Sequence, residues 1–506
     1  MSLQPDFSAF AAIYDAGRPQ VVWRILVADL ETPVSAFLKL VNGQPNSFLL
    51  ESVEGGAVRG RYSILGMKPD LIWKCDGNQA WINRNARTKS GIFHPCPVAE
   101  KDGTLASLRA LVAECSIDVP PHLPPMSAGL IGYMTYDMVR LVERLPDDNP
   151  DVIKVPDGIF IRPTVMAVFD NVNGTLTAVA SVWPRPGVDA QAAWDLASER
   201  LEHVVEALDS PLPHTYTGGS RAEHLPIPVP GVSPDQYCAM VEKAKEYIAA
   251  GDVFQVVLSQ RLAVPFKLPP FSLYRSLRRL NPSPFLFFLD FGEFQLVGSS
   301  PEILVRLRDD KVTIRPIAGT RRRGKTPAED EELAADLLGD PKELAEHLML
   351  LDLGRNDVGR VAAIGSVKVT KKMAVEYYSH VMHIVSNVEG QIREGCDAMD
   401  ALMAGFPAGT TSGAPKIRAM EIIDELESER RSFYAGAIGY FDGNGNMDTC
   451  IALRTTLVKD GTMYVQAGAG IVADSVPLSE HEECMNKARA LVRAAEDAID
   501  YTLMKQ

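Results

Sequence analysis

Helical and alternating apolar rhythms succeed one another along the second half of the chain. Ser233-Pro234 supplies a capping serine and a proline at the first helical position, and the apolar spacing then predicts a helix through Ile248 that Gly251 stops. Period-two runs predict strands at roughly 253–264, 285–291, 295–300, 303–308 and 311–316, with hairpins at Phe291-Gly292-Glu293 and Asp309-Asp310-Lys311. Helices follow near 327–338, 341–353 and 414–427. A second strand group at 432–441, 447–458 and 462–468 contains the hairpin signal Asp442-Gly443-Asn444-Gly445-Asn446. Pro316 to Gly324 reads as a Pro/Gly turn leading into arginines, with the small Ala318 inside it.

The first half carries short alternating runs such as Phe48-Leu49-Leu50 and Ile159-Phe160-Ile161, with helical patches near 104–115 and 189–207. Between the halves, Asp209 to Pro234 is rich in proline and lacks apolar periodicity, which predicts a linker. The expected division is residues 1–208, a linker over 209–233, and residues 234–506. Because strands come in runs rather than alternating singly with helices, the expected class is α+β with antiparallel sheets.

Length agrees with two units, since 506 residues exceed what one core usually supports. A net charge of −14 argues against nonspecific binding to nucleic acid or an anionic membrane, while leaving room for a local cationic pocket. The first residues, MSLQPDFSAF, lack a signal-peptide pattern, so a cytoplasmic location is expected. The seven cysteines show no CxxC, which suggests neither a zinc site nor a disulfide framework.

Gly468-Ala469-Gly470-Ile471-Val472-Ala473 fits a dinucleotide fingerprint, but Asp474-Ser475-Val476-Pro477 intervenes where the required helix should begin. Gly409 to Lys416 fails as a phosphate loop because its lysine comes two residues late, yet small residues before a helix still offer N–H groups to a carboxylate. Glu343 and Glu346 share a helix face, and Glu480 and Glu483 repeat that spacing. Each pair fits a solvated acidic face; together the pairs also fit Mg²⁺, which takes one or two carboxylates plus water and an anionic substrate. Arg454 interrupts an apolar strand and needs an anionic partner, either an internal carboxylate or a substrate. Lys487 follows Glu483 by one turn. His383 and Tyr434 lie in apolar runs that also suit core residues.

Five ordered segments resemble the chorismate-utilising enzymes, and among them the anthranilate synthase component I family. They are Pro316-Ile-Ala-Gly-Thr320, Ala345 to Asp357, His380 to His383, Gly409 to Lys416, and Gly468 to Val472 continuing to Asn486-Lys487. Leu49-Leu-Glu-Ser52 and Arg61-Tyr-Ser63 resemble the tryptophan-regulated members. The resemblance implies a two-lobed fold of large antiparallel sheets packed as a sandwich with helices outside. It implies Mg²⁺ at Glu346 and Glu483, with Glu343 and Glu480 beside them, bridging to the ring carboxylate of chorismate. Gly468 and Gly470 would offer N–H groups to carboxylate oxygens, Tyr434, Arg454 and Lys487 would hold the anionic substrate, and Thr410 would position its ring. Gly319 and Thr320 would complete its binding surface. Glu343 is expected to protonate the departing hydroxyl and His383 to serve pyruvate elimination.

Related aminodeoxychorismate synthases carry a nucleophilic lysine where this chain has Ala318, which leaves free ammonia as the nucleophile. Isochorismate and salicylate synthases carry a water-activating lysine where this chain has Gln255. No glutaminase nucleophile turn is present, so a separate glutamine amidotransferase subunit is implied, in a heterotetramer of two such pairs. An inhibitory tryptophan is expected between Glu51, Ser52 and the loop Pro284-Phe285-Leu286. Alternatives are aminodeoxychorismate formation and a catalytically silent tryptophan-binding regulator.

Overall fold

The computed structural model describes residues 2–54, 58–213, 228–378 and 381–503. Most of the expected linker, 214–227, and His380 of the third motif lie outside the described residues. Several local signals act as read. Ser233 caps the Pro234–Ala250 helix by accepting from the N–H of Gln236, whose side chain closes the capping box, and Gly251 ends that helix in the left-handed region. Helices at Thr104–Glu114 and Ala190–Asp209 match the two early patches.

Several segments differ from expectation: the strand expected over 447–458 is two, Met447–Ile451 and Thr455–Lys459, and the one expected from 432 starts at Ala437. Ile317–Arg322 is a strand paired with Val381–Gln391, not a turn; its register shifts between Ala318 and Thr320, where Gly319 has φ +72°. That bulge bends the strand and re-aims its side chains. The helix expected to end near 353 runs from Pro341 to Val361. Gly354 lies inside it because the helix passes close to Pro316, whose Cγ would be 3.2 Å from an added Cβ.

The strands form a 22-stranded hydrogen-bonded network, antiparallel at every pairing among the described residues, beside a two-stranded hairpin. This network crosses the expected linker. Ser47–Glu51 pairs with Phe285–Asp290, and Gly129–Met134 pairs with Ala437–Asp442. The period-two rule then divides each strand between layers. Phe48 and Ile64 join a central apolar layer with Tyr133, Phe287, Phe294 and Leu457, built mostly from strand residues. Leu49 and Leu65, one position on, face an outer layer with helix residues such as Phe37, Leu201, Tyr274 and Leu491. A second outer layer packs Leu351, Val358 and Leu402 against Val305 and Phe441. Sheets facing one another with helices outside are the expected α+β sandwich.

Candidate active site and its neighbouring cavity

Two helices bring Glu346 and Glu483 within electrostatic reach of each other, with Glu343 one turn before Glu346 and Glu480 one turn before Glu483. Asp340 caps the Pro341–Val361 helix by accepting from the N–H of Lys342 and of Glu343 at 3.0 and 3.3 Å, which fixes Glu343 in its first turn. Glu346 follows one turn on, and Glu480 and Glu483 occupy the start of Pro477–Leu503. Burial, reinforced by Glu343 and Glu483, holds the Glu346 carboxyl above its ordinary pKa; burial and Glu483 do the same to Glu480. Like charges crowded this way fit a cation between the helices. Among the described residues no three acidic, histidine or cysteine groups are close enough to hold a metal alone. The donor set therefore fits Mg²⁺ that takes further oxygens from water or substrate.

The floor of the site is the Thr462–Ile471 strand, where Gly468 pairs with Ser259 and Gly470 with Val257. Lys487 donates to the Gly468 carbonyl at 2.9 Å and pairs with Glu483 at 2.7 Å. Gln255 approaches Glu346 at 3.5 Å and covers Gly470 closely, so a Cβ there would lie 2.4 Å from Nε2. At Gly468 a Cβ would meet the Tyr434 hydroxyl and the Leu258 carbonyl oxygen, each at 2.8 Å. Both glycines thus keep backbone open beneath buried polar groups.

Beside this floor, His383 Nδ1 lies 2.9 Å from the Gly319 carbonyl oxygen and 3.1 Å from Thr320 Oγ1. A carbonyl only accepts, so the proton sits on Nδ1 and leaves Nε2 with a lone pair. Burial, with the charge of Arg454, lowers the His383 pKa and keeps the ring neutral. Arg454 stands at a break between strands Met447–Ile451 and Thr455–Lys459 with φ +46°. It makes no ion pair among the described residues, and Asn281 Oδ1 at 3.5 Å is its hydrogen-bonding partner. Burial pulls its pKa down. A cation held so, at a strained non-glycine position, is free to receive an external anion.

Glu343 pairs with Arg321 at 3.2 Å and reaches toward Gly319, where a Cβ would lie 3.1 Å from Oε2. Thr410 turns to a residue that sequence reasoning missed: its hydroxyl donates to Glu302 Oε1 at 2.9 Å. Burial pushes Glu302 up to about 8, opposed by the bonds from Thr410 and the Ile317 N–H. The available signal was a charged residue directly ahead of the apolar run Ile303-Leu304-Val305.

Glu51, Ser52, Pro284, Phe285 and Leu286 all line one cavity of about 890 Å³, shared between the first and second halves of the chain. Leu286 and Glu51 are register partners, and Val53 N–H donates to Ser283 O at 3.0 Å. Glu51 is engaged inside the protein by Tyr274 at 2.6 Å and by Arg278 at 2.6 and 2.7 Å. The far wall includes Ile317 and Tyr378, neighbours of Ala318 and His383. Ala318 is 8% exposed and paired with Ile384.

Comparison with known proteins decides the family, because residues 71–493 match the family described as chorismate binding enzyme. The chain belongs to the chorismate binding enzyme family. Anthranilate synthase component 1 of Cereibacter sphaeroides is 58% identical over 493 residues, covering 97% of this chain and 98% of that one. The Thermus thermophilus protein of the same name is 49% identical over 94% of this chain and 97% of its own length. Anthranilate synthase component I from Streptococcus pneumoniae TIGR4 superposes with TM-score 0.74 at 38% identity, over 92% of this chain and 99% of that one. The menaquinone-specific isochorismate synthase of Escherichia coli, 19% identical with TM-score 0.69 over 95% of each chain, shares the fold.

Proposed function

We propose that the chain is the large subunit of an anthranilate synthase, which converts chorismate and ammonia to anthranilate and pyruvate in the first step of tryptophan biosynthesis. What carries this reading is the relationship to component 1 proteins over nearly the whole chain, joined to a site whose anion receptors lie beside one neutral base and one protonated acid. Ala318 provides no nucleophile, which disfavours aminodeoxychorismate formation through a covalent enzyme adduct.

Arg454 binds a carboxylate of chorismate, with Tyr434 and Lys487 beside it, while the N–H groups of Gly468 and Gly470 take carboxylate oxygens. Gly319, Thr320 and Gln255 complete the surface on which the ring lies. Glu346 and Glu483, with Glu480 beside them, would hold Mg²⁺, which would supply positive charge to the ring carboxylate. Ammonia adds at C2 of the ring and the C4 hydroxyl leaves as water, taking a proton. The family resemblance leads to Glu343 as the donor of that proton; the protonated Glu302 held by Thr410 fits the role better, because Glu343 is already paired with Arg321. His383, neutral with Nε2 free, then takes the C2 proton as the C3–O bond to the enolpyruvyl group breaks. The ring becomes aromatic and the three-carbon fragment leaves as pyruvate.

A separate glutaminase subunit supplies ammonia, and the pair assembles as a heterotetramer. Tryptophan occupies the cavity beside Ser52 and Pro284–Leu286, so that residues 1–208 regulate and 234–506 catalyse. Seven unpaired cysteines suit a reducing cytoplasm, and no helix among the described residues is long and apolar enough to cross a membrane. The test is to mix the purified chain with chorismate, Mg²⁺ and an ammonium salt at alkaline pH and follow anthranilate fluorescence with and without EDTA and tryptophan. Fluorescence that requires Mg²⁺ and falls with tryptophan is expected. Unconsumed chorismate, or consumption to a nonfluorescent amino product, overturns the reading.

A further inference from the structure

Arg200 projects from the Ala190–Asp209 helix, which packs on the Thr175–Val182 strand, and it is 7% exposed. A guanidinium stays charged at neutral pH, so such burial calls for a counter-charge. Among the described residues Arg200 has no ion pair. Its Nη1 reaches the Ser181 carbonyl oxygen at 3.5 Å, and its Nε finds no acceptor.

The surrounding charge has the wrong sign to settle Arg200. Lys68 stands in the left-handed region at φ +53°, beside the register shift between Pro69 and Leu71 in the Tyr62–Asp76 strand. Burial lowers its pKa, and the charges of Arg87 and Arg200 lower it further. Arg200 itself is pulled down to about 10 by burial and then by Arg87, with Arg185 adding to the repulsion. Asp70, the acid within reach, is already taken by Arg162 at 2.8 and 3.0 Å and by Arg185 at 3.1 Å. Glu199, exposed beside Arg200 on the helix, attracts both Arg200 and Lys68 but offsets only part of their burial and mutual repulsion. In a chain of net charge −14 this gathering of cations, with Arg200 lacking an ion pair among the described residues and Asp70 shared between Arg162 and Arg185, stands apart. Lys68, Arg87 and Arg185 are exposed, so their side chains can reach an anion from solvent and hold it over the buried guanidinium.

We propose that Lys68, Arg87, Arg185 and Arg200 form a binding site for a small tetrahedral oxyanion of the phosphate or sulfate class, separate from the chorismate site. Guanidinium forks match two oxygens of such an ion at once, and a lysine adds a point charge. A monovalent halide or a monocarboxylate satisfies fewer of these donors. The bound ion answers the charge of Arg200, which then ties the helix, the strand bulge and the chain after Val182 together.

The experiment titrates inorganic phosphate into the full chain at constant ionic strength, with chloride and acetate in parallel, reading calorimetric binding and unfolding temperature. Saturable phosphate binding with a rise in unfolding temperature that chloride and acetate do not reproduce is expected. The surface double variant Lys68→Gln/Arg87→Gln should weaken phosphate binding about a hundredfold, from about tenfold for each lost charged contact, while ammonia-dependent turnover is unchanged. Arg200→Met should lose the phosphate response without losing the fold, since a hydrophobe replaces a charge that had no acid partner. No saturable binding, an equal response to acetate, or unaltered affinity in the double variant overturns the proposal.

Discussion

The hydroxyl of Thr410 donates to Oε1 of Glu302 over 2.9 Å, joining residues 108 positions apart. Their bond opposes the burial that pushes Glu302 up to about 8 from its ordinary 4.5. Glu302→Gln keeps the shape and removes the transferable proton, so kcat should fall by about a hundredfold to ten-thousandfold while chorismate still binds. Steady-state rates with ammonium as the nitrogen source measure this. Thr410→Val removes a donor to the ionised form and should move the alkaline limb of the rate profile upward.

Stability provides an independent reading of the same residue. Between about pH 4.5 and about pH 8 the folded chain keeps a proton at Glu302 that the unfolded chain has released. Folding therefore becomes less favourable as pH rises through that window, and the penalty levels off above it. Glu302→Gln should be more stable than the parent by a few kcal/mol at about pH 8, with the gap closing toward about pH 4.5, in urea denaturation at both pH values.

Why Glu343 and Glu346 were legible while Glu302 was not follows from the range of the forces involved. A helix repeats locally, so residues three apart announce a shared face, and the same holds for Glu480 and Glu483. Ser233 and Gly251 are equally local signals, because capping depends on the few neighbouring residues. Glu302 is buried beside its hydrogen-bond donors Ile317 and Thr410, which only the folded sheets bring near. The reading of Pro316–Gly324 as a turn failed for a related reason: Gly319 signals a bend, but whether the bend is a turn or a bulge in a strand depends on the distant Val381–Gln391. The pairing of Ser47–Glu51 with Phe285–Asp290 across the linker was likewise invisible, since alternation marks a strand and not its neighbour.

Arg454 invites a substitution that separates binding from folding. Because no acid among the described residues pairs with it, Arg454→Gln leaves no carboxylate stranded. KM for chorismate should rise about tenfold to a hundredfold, the equivalent of one hydrogen bond to a charged group, with the unfolding midpoint at or above that of the parent. A fall in stability with unchanged KM would show that the guanidinium serves the fold.

Gly468 and Gly470 should part company when each becomes alanine. The new Cβ at Gly468 meets a backbone oxygen, Leu258 O, at 2.8 Å, and that strand cannot swing aside. Gly468→Ala should be destabilised by about 1–3 kcal/mol in denaturant unfolding. At Gly470 the obstacle is the end of the Gln255 side chain at 2.4 Å, which can rotate away. Gly470→Ala should keep near-parental stability yet turn over slowly, because Gln255 leaves Glu346 and the N–H floor is covered.

Ser52 and Glu51 lie on the same cavity wall, but they test different things. Ser52 is half-buried, and Ser52→Phe fills space without stranding a charge. It should raise the tryptophan concentration needed for inhibition by about fivefold to a hundredfold, the range of ordinary coupling energies, with ammonia-dependent turnover and unfolding temperature near the parent's. Glu51→Gln instead removes the charge facing Arg278, in a pair whose glutamate side chain is 4% exposed. Breaking such a pair from one side costs about 3–5 kcal/mol, so inhibition and stability should fall together. Tryptophan inhibition that survives Ser52→Phe unchanged would remove the inhibitor from this cavity, and the Glu51→Gln result alone would then report only on the fold.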